Sequence, residues 1–239
     1  MLIEIEVGEN RSGVVLEDDL KRIVDQITLT PQARLKGVFC HEGHAYGATD
    51  SDECKRFLIE SEERVLAFVK IMSDMGINAE VVSIGSTPSM MVGEIVKGIT
   101  EIRPGTYVLM DMYQANALRT TERCAATVLA TVTSTPTDER FITDTGAKAL
   151  TLQTQVGGMC ATKGYGYIKG SNNKFVSLAY DEHGIFYDRE LRSMLRVGDK
   201  IEIIPNHICP VSNLYDKAYL VSNGKVLEEM EISCRGKSQ

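Results

Sequence analysis

Residues 2–7, LIEIEV, place apolar and acidic side chains alternately, the period of a strand with one buried face. Apolar residues then fall at 16, 20, 23, 24 and 27, a helical stripe, so the chain opens with a β-α unit. RLKGVFC (34–40) predicts a second strand, and from Cys54 through Phe57, Leu58, Val65, Phe68, Met72 and Met75 the spacing is again helical. Asp50 or Ser51 can cap the start of that helix and Gly76 can end it. AEVVSIG (79–85) predicts a third strand, SMMVGEIVKGI a short helix, and EIRPGTYVLMD (101–111) a fourth strand-like element. Regular β-α alternation implies parallel strands joined by right-handed crossovers.

From about residue 120 the pattern changes. Val-, Ile- and Thr-rich runs separated by turn residues replace the helical period, as in TVLATVTSTPTDERFITDTG, KFVSLAYDEHGIFY and DKIEIIPNHICPV. The predicted fold is therefore α/β plus all-β. The C-terminal half of a (β/α)8 barrel, about four β-α units over residues 1–118, is followed by a mostly antiparallel β domain over 119–239. An open half barrel exposes a parallel strand edge, which natural proteins avoid. The expectation is a truncated chain or one completed by a partner, with self-association as a homodimer or with a complementing N-terminal segment.

Composition narrows the partners. The 239 residues are 43% hydrophobic, ample for a sizeable core, and the net charge of −7 has no basic stripe, which argues against nucleic acid and anionic membranes. The N-terminus lacks a basic segment followed by an apolar core, and no apolar run approaches the roughly 20 residues needed to span a bilayer, so a cytoplasmic protein is expected. Six cysteines, at 40, 54, 124, 160, 209 and 234, show no CxxC spacing and read as thiols of a reducing compartment.

Two regions carry candidate chemistry. Gly85-Ser86-Thr87-Pro88-Ser89 stands where a strand gives way to a helix, a place where backbone N–H groups and hydroxyls can hold a phosphate; it also reads as a simple capped turn. Arg103-Pro104-Gly105-Thr106 offers further N–H groups on the next loop, and barrel loops after the last two strands commonly build a phosphate site. In PNHICP (205–210), alternation along a strand would send His207 and Cys209 to one face, where a soft metal ion could bind. Two ligands fall short of the about three of a catalytic zinc, and a buried thiol beside an imidazole is the plainer reading.

EIEVGENRSGV, HEGHAYG, GSTPS, RPGTYVLMD, DTGAKAL, DEHGIF and VGDKIEIIPNHICP, in that order, resemble the D-serine dehydratase and D-threonine aldolase group of pyridoxal-phosphate enzymes, relatives of alanine racemase. The resemblance implies a β/α barrel and a β domain, dimerisation near the active site, and a small D-amino-acid substrate. It places the cofactor phosphate near Ser86, Thr87, Gly105 and Thr106, with Arg11 and Arg103 toward the pyridine nitrogen. It makes His207 and Cys209 a zinc pair whose shell substrate and water complete, and the loop with His41 and His44 a wall of the cofactor pocket. The family's Schiff-base lysine belongs to a region not contained in this chain, and Lys148 in DTGAKAL reads as structural or interfacial. No catalytic residue is therefore assigned.

The expectation is the C-terminal portion of a pyridoxal-phosphate- and metal-dependent D-amino-acid lyase, inactive alone. D-serine dehydratase is preferred because Cys209 stands where the aldolases tend to carry Asp; D-threonine aldolase or a racemase is the alternative. A reading of another class is a non-catalytic fragment or subunit that binds a partner or an anion.

Overall fold

In a computed structural model describing residues 1–237, the alternating N-terminal pattern becomes β1 (Leu2–Glu4), α1 (Glu17–Thr28), β2 (Gly37–Phe39), α2 (Ser51–Asp74), β3 (Val81–Ile84), α3 (Thr87–Val92) and β4 (Glu101–Ile102). The four strands pair parallel in the order β1-β2-β3-β4. This is sequence order, without the reversal of a doubly wound sheet. The outer edge of β1 is partly covered by its own following loop, because Val14 N–H donates to Glu4 O at 2.8 Å and Glu6 N–H to Val14 O at 3.1 Å. Arg64 from α2 holds that loop, donating to Glu6 O at 2.6 Å and Val15 O at 2.8 Å.

Asp50 caps α2 by accepting the Glu53 N–H at 2.9 Å, and Gly76, with φ +79°, follows the helix end. The apolar stripe of α2, including Leu58, Val65, Phe68 and Met72, packs on Ile3, Ile5, Val38, Val82 and Ile84 from the sheet. Removing one such side chain, as in Leu58→Ala, costs about 2–5 kcal/mol. The third helix is shorter than the pattern suggests, since Gly93 ends it after six residues. The fourth strand is shorter still. Pro104 has no N–H to donate, so only Glu101–Ile102 pair and Thr106–Val108 form a single tight turn.

The chain divides into two compact units. Met1–Tyr107 with Gly157–Met159 form the first, and Val108–Val156 with the chain from Cys160 onward form the second. The expected boundary at 118/119 moves because residues 111–113 are bonded to residues 205–208. Met112 N–H donates to Pro205 O at 3.0 Å, and Ile208 N–H to the Asp111 carboxylate at 3.0 Å.

The second unit begins with α4 (Met112–Leu118) and continues through β5 (Val128–Ser134), β6 (Arg140–Thr143), α5 (Ala147–Leu150), β7 (Tyr167–Ile168), β8 (Leu178–Ala179), β9 (Gly184–Tyr187), α6 (Arg189–Met194), β10 (Lys200–Ile204), α7 (Ile208–Ser212), β11 (Lys217–Ser222) and β12 (Lys225–Glu231). Six strands form an antiparallel sheet in the order β7-β10-β5-β6-β9-β8. Phe141 and Phe186, directly opposite on β6 and β9, stack with centroids 4.5 Å apart at the centre of its core. β11 and β12 pair as a separate hairpin, which the sequence pattern left unread.

The PNHICP stretch is not strand. β10 stops at Ile204, Pro205 cannot extend the ladder, and His207 is the extended residue before a five-residue helix containing Cys209. Pro210 falls in the first helical turn, where a missing N–H costs nothing. The same-face geometry expected from strand alternation therefore does not apply to the pair.

Candidate functional site

In the first unit the loops after the four parallel strands collect the chemistry, at the strand ends where barrel and open α/β enzymes place their sites. Arg11 follows β1, His41, Glu42 and His44 follow β2, Ser86 and Thr87 follow β3, and Arg103, Gly105 and Thr106 follow β4. The loops are held together from within by Glu42. Its fully buried carboxylate accepts Gly85 N–H at 3.2 Å, Ser86 N–H at 2.8 Å and the Ser89 hydroxyl at 2.5 Å. Gly85 is required here, since its φ is +137° and a Cβ would lie 2.9 Å from Arg103 N.

Ser86 takes part in this network: its N–H is bonded to Glu42 and its hydroxyl lies 2.9 Å from Ser89 Oγ, where either hydroxyl can be the donor. Thr87 differs, for its buried Oγ1 has no hydrogen-bond partner. Gly105 has open space where a Cβ would point, and Thr106 is buried beside it. An orphaned hydroxyl after β3 and an open glycine backbone after its neighbour β4 are groups that suit a phosphate, so the cofactor's phosphate end is compatible with Thr87, Gly105 and Thr106.

Arg103 is pinned by donation to Ser83 Oγ and Cys40 O, both at 2.6 Å, and its guanidinium lies 5.1 Å over the Phe39 ring. Arg11 is more than half exposed and pairs with Glu4 at 3.5 Å and Glu9 at 3.4 Å. Of the two histidines, His41 Nδ1 lies 2.9 Å from Glu9 Oε2, while His44 packs on Phe57 and burial lowers its pKa.

In the second unit, Asp111 takes a place comparable to that of Glu42. Fully buried, it accepts Gln114 N–H at 3.2 Å and Ile208 N–H at 3.0 Å, joining the starts of α4 and α7. Burial pushes its pKa up to about 6 against the opposing pull of those donors. His207 is set beside this junction, its ring 5.3 Å from that of Tyr113 and its Nδ1 2.6 Å from Gln153 Oε1. Burial lowers the His207 pKa, so the ring favours its neutral form, the one that binds metals. Cys209 is exposed. Among the described residues no three His, Cys, Asp or Glu side chains come together as a metal cluster. The donor chemistry of the pair nonetheless suits zinc: an imidazole engaged at Nδ1 by a carbonyl oxygen keeps Nε2 for coordination, and an accessible thiol can be its companion.

Residues 1–112 match the family described as "Alanine racemase, N-terminal domain", and residues 125–221 match "Putative serine dehydratase domain". Along nearly its whole length the chain is similar to the alanine-racemase-like D-serine dehydratase and D-threonine aldolase group. Among the similar proteins, D-threo-3-hydroxyaspartate dehydratase of Delftia sp. (strain HT23) is 29% identical over 222 residues, 87% of this chain and 58% of the relative. The 3-hydroxy-D-aspartate aldolase of Paracoccus denitrificans (strain Pd 1222) is 27% identical over 246 residues, 99% of this chain and 60% of the relative. The chain thus spans less than two thirds of either enzyme. A solved structure titled as a cysteine-to-alanine mutant of D-threo-3-hydroxyaspartate dehydratase in the metal-free form superposes with a TM-score of 0.83 at 26% identity, covering 96% of this chain and 64% of the other. A histidine-to-alanine mutant of that enzyme is also known, its altered position two residues before the cysteine.

Sequence reasoning missed Glu42, Asp111 and Gln153. Asp111 carried a signal in Asp-Met-Tyr-Gln, an N-cap residue followed three positions later by Gln, but it was read as the last residue of a strand-like run, and the helix it starts, just beyond that run, was left unassigned. Glu42 and Gln153 carry none, because what they bond to lies 43 or more positions away.

Proposed function

We propose that the chain is the part of a pyridoxal-phosphate- and zinc-dependent D-amino-acid lyase that holds the cofactor's phosphate and the metal pair, with D-serine dehydration as its reaction. The observation that carries this reading is the convergence of Thr87, Arg103, Gly105 and Thr106 on adjoining loops at one end of a parallel sheet. The sheet itself reads as half of a (β/α)8 barrel, since four parallel strands in unbroken sequence order are what such a barrel contains. The chain's outer strand edges favour completion by a second copy or by a complementing segment.

When bound, pyridoxal phosphate supplies an electron sink for the carbanion formed at the amino-acid Cα, and zinc supplies a Lewis acid for the departing β-hydroxyl. Thr87 Oγ1 and the backbone at Gly105 and Thr106 would bind the phosphate, while Glu42 holds the Gly85–Ser89 loop in place. Arg11 and Arg103 would serve the pyridine end of the cofactor; Arg103, fixed by two hydrogen bonds and the Phe39 ring, is the better constrained of the two. His207 through Nε2 and Cys209 through its thiolate would hold zinc. Support for the pair comes from the metal-free title of the cysteine mutant of a relative, whose altered histidine and cysteine have the spacing of His207 and Cys209. The thiolate at Cys209 favours zinc over a harder ion, and with it dehydration over aldol cleavage.

Equilibrium dialysis of the full chain against pyridoxal phosphate, competed by inorganic phosphate, tests the cofactor half. Retention should weaken about tenfold in Thr87→Val, the loss of one charge-assisted hydrogen bond. Elemental analysis after zinc loading tests the metal half. Retention of neither cofactor by the wild-type chain sinks the proposal; pyruvate and ammonia formed from D-serine by the loaded chain would establish the activity itself.

A further inference from the structure

Gln153 lies outside every motif that pointed to chemistry, on the segment after α5, yet it contacts His207 and is tied to that histidine's neighbour. Asn206, only 1% exposed, donates its side-chain amide to Gln153 O at 3.0 Å and to Gly164 O at 2.9 Å, locking the backbone of the Gln153 segment beside residue 206. From this anchored position the Gln153 side chain places Oε1 2.6 Å from His207 Nδ1, while the Tyr113 ring, inclined at 35°, packs on the imidazole. The ring is therefore constrained both in tilt and at one nitrogen.

We propose that Gln153 is a positioning residue: its Oε1 accepts the Nδ1–H of His207, fixing the imidazole in the tautomer whose Nε2 lone pair is available to a metal. A neutral imidazole in water distributes its proton between the two nitrogens, and a carbonyl acceptor at one of them selects which nitrogen keeps it. Histidine ligands of metals are commonly oriented in this way, and loss of the orienting partner typically weakens metal binding by about 10–100-fold. The selection of the tautomer is a property of these residues alone; only its use toward zinc rests on the function proposed above.

Imidazole nitrogen NMR of the full chain, recorded without metal and well above the titration range of the ring, reads the tautomer directly. Wild type should show a pyrrole-type Nδ1 and a pyridine-type Nε2 for His207. Gln153→Leu should lose that selection, and Gln153→Glu, which keeps an acceptor oxygen, should restore it. In competition with a chromogenic chelator, zinc affinity should fall about 10–100-fold in Gln153→Leu and recover in Gln153→Glu. Because Gln153 is exposed, the thermal midpoint should be the same in all three proteins, so a general loss of packing would be seen separately. A wild-type His207 carrying its proton on Nε2, or a tautomer unaltered in Gln153→Leu, overturns the proposal. A wild-type chain with no zinc affinity but the expected tautomer changes supports the orienting role and rejects the metal reading.

Discussion

The two units of the chain use the same device, a fully buried carboxylate surrounded by backbone N–H donors, toward different ends. Glu42 gathers donors at residues 85, 86 and 89 and so fixes a loop at the end of a parallel strand. Asp111 gathers donors at 114 and 208 and so joins the first turns of two helices 97 residues apart. In the first unit, interior negative charge engages the N–H groups of Gly85 and Ser86, so the phosphate site proposed above would rest on Thr87 and the Gly105 backbone. In the second, it sets the start of α7, and so where His207 and Cys209 stand. A buried carboxylate with two or three donors can thus stiffen a loop in one place and join two helices in another. What decides is which donors it takes.

Removing each carboxylate sharpens the contrast. Glu42→Ala should have the largest effect, because the Gly85 N–H would lose its acceptor at a cost of about 1–3 kcal/mol and Ser86 N–H would keep only its longer, 3.3 Å bond to Ser89 Oγ. A denaturant midpoint unchanged from wild type would show that water replaces the carboxylate and that the loop does not depend on it.

Asp111 should reveal itself through pH. Its carboxyl holds a proton more tightly folded, at about 6, than at the ordinary 3.8, so the folded state carries the extra proton between those values. The stabilising contribution is full below 3.8 and is lost as pH rises through about 6. Asp111→Asn should remove this slope. Denaturation across that window would contradict the assignment if the variant and wild type lost stability in parallel.

Cys209→Ala tests function with little structural disturbance. The side chain is exposed, so stability should change by no more than about 0.5 kcal/mol while zinc retention is lost. Undiminished zinc content in the variant would move the metal site elsewhere. The smallest effect is expected at Lys148, whose ammonium pairs with Glu182 at 2.8 Å on the surface. Lys148→Ala should leave the denaturant midpoint unchanged; a clear drop would mean that this pair is covered in an assembly.

The parallel first unit was readable because its helices carry long apolar stripes. Cys54 to Met75 repeats its period over six turns, and Asp50 is a side-chain cap where one was expected. The second unit was readable only as β-rich. Its helices run four to seven residues, too short for a period to emerge, and α7 was concealed in a run that alternates like a strand. The chemistry divides along another line. Thr87, Arg103 and the His207–Cys209 pair sit in local motifs. Glu42, Asp111 and Gln153 act through residues 43, 97 and 54 positions away, distances at which only the folded chain defines a neighbour.

Gly157–Met159 belongs to the first unit although the chain around it belongs to the second. Met159 N–H donates to Ala48 O at 2.6 Å, and Met159 packs on the small cluster of Ala45, Ala48 and Cys54. Synthesis is vectorial, so a nascent chain that has released residues 1–107 still lacks three residues of this unit. The ribosome must add some fifty more before the cluster can close. Stalled chains of increasing length, probed by proteolysis as they emerge, should therefore gain protection around Ala45–Cys54 only after residue 159 has left the exit tunnel.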